Sequence, residues 1–172
     1  MTETRTALVT GAAGFIGYFT CLRLLKDGFR VIGIDSLSDY YDPELKRRRQ
    51  QALLQHQSFS VVNEPIETPG LLADLFAKHT PDIVVHLAAQ AGVRYSIDNP
   101  RSYLESNLVG TFELLEAARW NPPRHMLLAS TSSAYGANTE MPYRETMKAD
   151  HQMSFYAATK KATEARAHSY AH

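Results

Sequence analysis

The sequence predicts an α/β fold, a single parallel sheet wound with helices on both faces. Two observations predict it. Short runs rich in Val, Ile and Leu alternate along the whole chain with longer segments whose apolar residues recur at helical spacing. The runs are also continuously apolar rather than alternating, the pattern of strands covered on both faces.

The elements follow in order. "TALVTG" (Thr6–Gly11) is a strand ending at glycine. "GFIGYFTCLRLLKDG" is the first helix, stopped at Lys26, Asp27 and Gly28, with Gly as a natural residue just past the helix end. "RVIGID" (Arg30–Asp35) is the second strand. "PELKRRRQQALLQH" opens a helix at Pro43 and runs to about His56. "FSVVN" is the third strand, and "PGLLADLFAKH" is a helix ended by Thr80-Pro81. "DIVVHLAA" (Asp82–Ala89) is the fourth strand. One long helix is expected from Asp98-Asn99-Pro100, with Tyr103, Leu104, Leu108, Phe112 and Leu115 on one side. "RHMLLAS" (Arg124–Ser130) is the fifth strand, and the closing helix starts near Ser154. The expected strand order is 3-2-1-4-5, with a ligand at the carboxyl ends of the strands where the order reverses.

Composition narrows the function. The 172 residues suit one domain, 1–172. With 18 basic and 18 acidic side chains the formal charge is zero, which argues against a nucleic-acid partner held by phosphate electrostatics. The one basic run, "KRRRQ" (Lys46–Gln50), reads as the solvated face of a helix, with a phosphate patch as the lesser reading. The lone cysteine, Cys21, lies among apolar residues and reads as a core thiol. With no disulfide to form, a reducing, cytoplasmic setting is expected. The N-terminus is not a signal peptide, no run of about 18 apolar residues suggests a membrane span, and no metal site is expected.

"TGAAGFIG" sets Gly11, Gly14 and Gly17 between the first strand and the first helix. Glycines let the backbone turn sharply and approach a diphosphate, and the helix N-terminus offers free N–H groups. Asp35 ends the second strand 18 residues after Gly17, near the usual spacing of about 20 for the acid that accepts from a ribose 2′-hydroxyl. Its charge repels a 2′-phosphate, which favours NAD over NADP.

Tyr156 and Lys160 are four residues apart on the closing helix and share a face. An ammonium beside a phenol favours the phenolate, which can take a proton from a sugar or alcohol hydroxyl. The plain alternative is a packed Tyr beside a snorkelling Lys. "LLASTSSAYG" shifts the balance, because it delivers Ser130, Thr131, Ser132 and Ser133 at the carboxyl end of strand five.

"TGAAGFIG", "GIDSLSDYY", "VVHLAAQAGVRYS", "SNLVGT", "ASTSSAYGAN" and "YAATKKA" together resemble the extended short-chain dehydrogenase/reductase superfamily. Within it the chain is similar to the NAD-dependent nucleotide-sugar epimerases and dehydratases, foremost the UDP-glucuronate 4-epimerases. The resemblance implies a Rossmann-like doubly wound sheet. It also implies members about twice this length, whose C-terminal substrate lobe is missing here, and a cytoplasmic enzyme for which a homodimer is compatible. It assigns the pyrophosphate to Gly11, Gly14, Phe15, Ile16 and Gly17, the adenosine ribose to Asp35, and the cofactor wall to Leu87, Ala88 and Ala89. Asn107 sits under the site and Ser130 beside the cofactor. Tyr156 is the implied base, Thr131 its hydroxyl partner, and Lys160 tunes the base and holds the nicotinamide ribose. Arg94, Ser96, Ser132 and Ser133 are the implied substrate contacts, with a plain loop salt bridge the competing reading of Arg94.

The implied reaction oxidises a UDP-sugar at C4, turns the 4-keto sugar over in the site, and returns the hydride to the other face. UDP-glucuronate would become UDP-galacturonate, with NAD regenerated. The related 4,6-dehydratases carry an Asp-Glu pair after the Thr, and the decarboxylases a Glu; this chain has Ser132 and Ser133, which favours epimerisation. The usual acid near the adenine is replaced by "VVNEPIETPG", where Glu64 or Glu67 is the substitute. Two rival functions stand beside the epimerase. One is a non-catalytic NAD-binding module or subunit fragment. The other is a different nucleotide-sugar oxidoreductase or dehydratase on the same scaffold.

Overall fold

The computed structural model describes residues 4–172. Five strands, β1 (Thr6–Thr10), β2 (Arg30–Ile34), β3 (Phe59–Val62), β4 (Ile83–His86) and β5 (His125–Leu128), form one sheet in the order β3-β2-β1-β4-β5. Every pairing is parallel. The helices are α1 (Phe15–Lys26), α2 (Pro43–Leu53), α3 (Leu71–His79), the short α4 (Tyr95–Asp98) and α5 (Pro100–Tyr103), α6 (Gly110–Trp120) and α7 (Phe155–Tyr170). The expected order and alternation are therefore present.

Strand alternation explains the continuous apolar runs. In β1 and β2, Ala7, Val9 and Val31 face one side and pack with Cys21 and Leu53, from α1 and α2, and with Phe59 of β3. Leu8, Ile34 and Val84 face the other side and pack with Leu72 and Phe76 of α3 and Leu114 of α6. Each such side chain, fully withdrawn from water, contributes about 1.5–3 kcal/mol of transfer free energy. Burial pushes the Cys21 thiol up to about 12, so it stays protonated and inert, as a core thiol should.

Local chemistry sets the boundaries. Gly28 takes φ 82° just past α1, the left-handed turn that glycine supplies without strain. Asp42 caps α2 by accepting from the Glu44 N–H at 2.9 Å, with Pro43 in the first turn. Ser154 caps α7 by accepting from the Ala157 N–H at 3.0 Å.

The expected long helix is present from Pro100 to Trp120, as α5, a π-helical turn at Leu104–Val109 and α6 in unbroken succession, with the short α4 before it. The wider turn disrupts the helical phase. Tyr103 and Leu115 are buried, whereas Leu104 and Phe112, expected on the same side, are 39% and 45% exposed. The Asn107 carbonyl in this turn accepts from the Thr163 hydroxyl and the Arg166 guanidinium of α7, each at 3.4 Å. Side chains of a neighbouring helix thus serve a carbonyl in the widened turn, and such turns occur frequently at functional sites.

β3 and β5 are the sheet edges, and Leu127 on β5 is half exposed. Among the described residues no helix is long and apolar enough to cross a membrane.

Candidate active site

A cleft opens at the carboxyl ends of β1, β2 and β4, where the strand order reverses. Gly11, Gly14, Asp35, Lys46, Glu67 and Ala88 line it. Leu87, Ala89, Gln90 and Ser106 complete the wall on the β4 side.

The glycine loop is tight enough that its residues have little choice. A Cβ on Gly17 would lie 2.0 Å from the Gly11 carbonyl oxygen, and one on Gly11 would lie 2.9 Å from the Ala88 nitrogen. Gly11 also takes φ 71°. Gly14 caps α1 without any side chain, and the first N–H to fold back is that of Tyr18, onto the Gly14 carbonyl at 3.0 Å. The N–H groups of Phe15, Ile16 and Gly17 therefore stand at an open helix N-terminus with its partial positive charge. This is a cradle that side chains would fill, and it suits a diphosphate.

Asp35 is 6% exposed. One carboxylate oxygen accepts from the Ala13 N–H at 3.0 Å and the other from the Leu37 N–H at 2.9 Å. The carboxylate thus pins the glycine loop to the end of β2, and each oxygen keeps acceptor capacity for hydroxyls.

Lys46 corrects the reading of the basic run as a solvated face. Arg47 and Arg48 are exposed and pair with Glu44, but Lys46 is 6% exposed. Its ammonium donates to the Ser38 carbonyl at 3.0 Å and to the Ser38 hydroxyl at 2.9 Å, and lies 3.9 Å from Asp35. Burial, the leading cause, lowers its pKa, while Asp35 pulls it back up. A signal for this was present: Lys46 and Leu53, the two buried residues of α2, are a heptad apart and share its inward face. Of the two candidate acids after β3, Glu67 lines the cleft and Glu64 does not.

The β4 wall is held by buried polar groups. The Thr10 hydroxyl accepts from the Leu87 and Ala88 N–H groups, at 3.2 and 3.1 Å. Its own proton then goes to His86 Nδ1, 2.7 Å away. His86 is therefore the Nε2–H tautomer, donating to the Thr111 hydroxyl at 3.1 Å. Burial, and secondarily the Lys160 charge, push His86 down to about 3, so it stays neutral. Asn107 is 1% exposed and grips the Gln90 backbone from behind this wall. It acts on the cleft through Gln90 rather than lining it.

The implied catalytic residues lie at the end of β5 and on α7. Lys160 is buried, and its ammonium donates to the Ala129 carbonyl at 2.6 Å. Burial lowers its pKa and Glu164 raises it in part. The Tyr156 ring stands edge-on to Tyr103 with centroids 5.9 Å apart. The Thr131 hydroxyl accepts from the Ser133 N–H at 3.2 Å, which leaves its proton free to donate. Thr131 lines a separate groove with Lys161 and Glu164. The Ser130 hydroxyl is bonded to the Glu164 carboxylate and lines that groove. Ser96 is buried and donates to the Val93 carbonyl at 2.6 Å, which makes it a turn residue in this structure. Arg94 and Ser132 are exposed and Ser133 half-buried. Among the described residues no cluster of His, Cys, Asp and Glu fits a metal ion.

This fold and cleft define a Rossmann-like α/β domain. A family model described as GDP-mannose 4,6 dehydratase matches residues 8–172, and the chain belongs to that family. The chain is 47% identical over 165 residues to a probable UDP-glucuronate 4-epimerase of Rhizobium meliloti (strain 1021), covering 96% of this chain and 48% of that protein. It is 49% identical over 168 residues to UDP-glucuronate 4-epimerase 6 of Arabidopsis thaliana, covering 97% of this chain and 36% of that protein. The crystal structure of UDP-glucuronic acid 4-epimerase from Bacillus cereus, in complex with UDP-glucuronic acid and NAD, superposes with a TM-score of 0.88 at 35% identity, covering 96% and 52% of the two chains. The chain thus spans about half the length of the relatives it matches or less.

Proposed function

We propose that this chain is the NAD-binding part of a UDP-sugar 4-epimerase acting on UDP-glucuronate. The observation that carries the reading is the cleft itself: a glycine cradle tied to Asp35 at the point where the strand order reverses. It is supported by the identity to UDP-glucuronate 4-epimerases.

Gly11, Gly14 and Gly17 with the α1 N-terminus hold the diphosphate, and Asp35 and Lys46 face the adenosine ribose. NAD, when bound, supplies a hydride acceptor and donor for the sugar C4. Tyr156 takes the proton of the sugar 4-hydroxyl as C4 is oxidised and gives one back when C4 is reduced from the other face. Thr131 donates to the reacting oxygen, and Lys160 keeps a positive charge near the base. Ser132 and Ser133 stand where a dehydratase needs carboxyl groups, so the chemistry stops at C4.

Calorimetry of the purified chain with NAD, and NMR of its mixture with UDP-glucuronate, test the reading. The expected results are saturable NAD binding and slow C4 inversion. Any inversion should vanish in Tyr156→Phe while NAD affinity persists. Full epimerase rates from the chain alone would refute the need for further substrate-binding residues. Net NADH release would favour a simple oxidoreductase, and NAD binding without turnover in any oligomer a non-catalytic module.

A further inference from the structure

A second polar cleft lies at the opposite end of the sheet. A strand of five residues rises about 17 Å, so this cleft is well separated from the glycine loop. Arg5 precedes β1, Arg30 begins β2 and Arg124 precedes β5, so three strand starts each bring a guanidinium to one place. His79, the last residue of α3, joins them.

None of the three arginines has a carboxylate within ion-pair distance among the described residues, whereas five exposed arginines elsewhere each pair with a carboxylate three or four residues away. The one acid that lines this cleft among the described residues, Asp82, is held in the fold. Its carboxylate accepts from the Thr6 N–H at 2.8 Å, and its own N–H donates to the Thr6 carbonyl at 2.8 Å. Three guanidiniums against one carboxylate leave a local excess of positive charge in a chain whose formal charge is zero. The side chains are also partly preorganised. Arg5 stacks on Phe29, with its guanidinium carbon 4.3 Å from the ring centroid. Arg30 donates one N–H to the Thr6 hydroxyl at 3.1 Å and keeps the rest of its fork free.

We propose that this cleft is a second anion site, which takes a small multivalent phosphate such as pyrophosphate or a phosphate ester, independently of the cofactor cleft. Planar guanidiniums with several convergent N–H donors match phosphate oxygens better than point charges do. The overall neutrality of the chain disfavours a polyanion such as nucleic acid, which needs an extended basic surface.

His79 is a built-in reporter. Burial lowers its pKa first, and the nearby charges of Lys78 and Arg30 add to that. A bound multivalent anion offsets those charges and moves its titration upward. The test follows the His79 ring signals of the full chain by NMR across pH, with the cofactor loop saturated with NAD, in pyrophosphate and in sodium chloride of matched ionic strength. The expected result is a saturable upward shift in pyrophosphate beyond that in chloride. Arg124→Gln, which removes an exposed side chain, should weaken binding about 10-fold, and Arg30→Gln similarly. Equal shifts in both salts would reduce the effect to screening and overturn the proposal. So would unchanged affinity in a folded Arg30→Gln/Arg124→Gln double variant. A phosphate ester as a third arm distinguishes the sources: a larger saturable shift with the ester than with pyrophosphate would make the organic group part of the ligand.

Discussion

Asn107 closes both faces of its side-chain amide on the backbone of one residue, Gln90. Its oxygen accepts from the Gln90 N–H at 2.8 Å and its nitrogen donates to the Gln90 carbonyl at 3.1 Å. The second amide hydrogen goes to the Thr159 hydroxyl at 3.0 Å. A single amide therefore ties the cleft wall after β4 to α7, the helix that carries Tyr156 and Lys160. Asn107→Ala would strand a buried N–H and a buried carbonyl, at a cost of about 2–4 kcal/mol in urea unfolding. Asn107→Asp should be no better, because its second oxygen would face the Gln90 carbonyl. A loss below about 0.5 kcal/mol for the alanine variant would show that water replaces the amide there.

Gly17→Ala tests the cradle. The added Cβ would meet the Gly11 carbonyl oxygen at 2.0 Å and its carbon at 2.8 Å, both backbone atoms that cannot rotate away. α1 must then move off the loop, at a cost of about 3 kcal/mol and with at least about a tenfold loss of NAD affinity by calorimetry. Gly28→Ala is the control. Its Cβ meets nothing within 4 Å, so only the φ of 82° opposes it, at about 1 kcal/mol.

These two positions show how much was legible. The glycine loop, Asp35 and the five strands were readable because each carries its own local signal: a turn residue, a strand end, or a continuous apolar run bounded by breakers. The π-turn around Asn107 was not. Its carbonyl is served by Thr163 and Arg166, more than fifty residues away, and no local window contains them. Lys46 was missed for a related reason. A charged residue in a basic run reads as solvated until β2 brings Asp35, and the loop after it brings Ser38, against that helix face. The aim of Ser130 at Glu164 is equally tertiary, since both follow from how α7 lies on the end of β5.

Lys46→Met separates stability from binding at the Asp35 end of the cleft. The substitution keeps the side chain as far as Cε, removes a buried ammonium and leaves Asp35 its two N–H donors. Unfolding free energy should change by less than about 1 kcal/mol, because the desolvation cost of the ammonium disappears with its interactions. NAD affinity should fall about 10-fold with the lost donor to the ribose region. An unchanged affinity would limit Lys46 to holding the Ser38 loop.

His86 makes stability depend on pH in a defined window. Its folded pKa is pushed down to about 3, against an ordinary value of about 6.5. Between those values the unfolded chain binds a proton at this residue that the folded chain does not. Stability therefore rises with pH across the window, and it is lost as pH falls below about 6.5. The slope is about 1.4 kcal/mol per pH unit once the unfolded imidazole is charged. Protonation would also place a donor at Nδ1, where the Thr10 hydroxyl already donates, and so break the bonds that hold Leu87 and Ala88 in the cleft wall. Urea unfolding at pH 7, 6 and 5 should show the decline in the wild-type chain. His86→Gln, which can accept from Thr10 and donate to Thr111 without titrating, should be less stable at pH 7 but show a shallower decline. Equal slopes in the two proteins would assign the acid sensitivity to other groups.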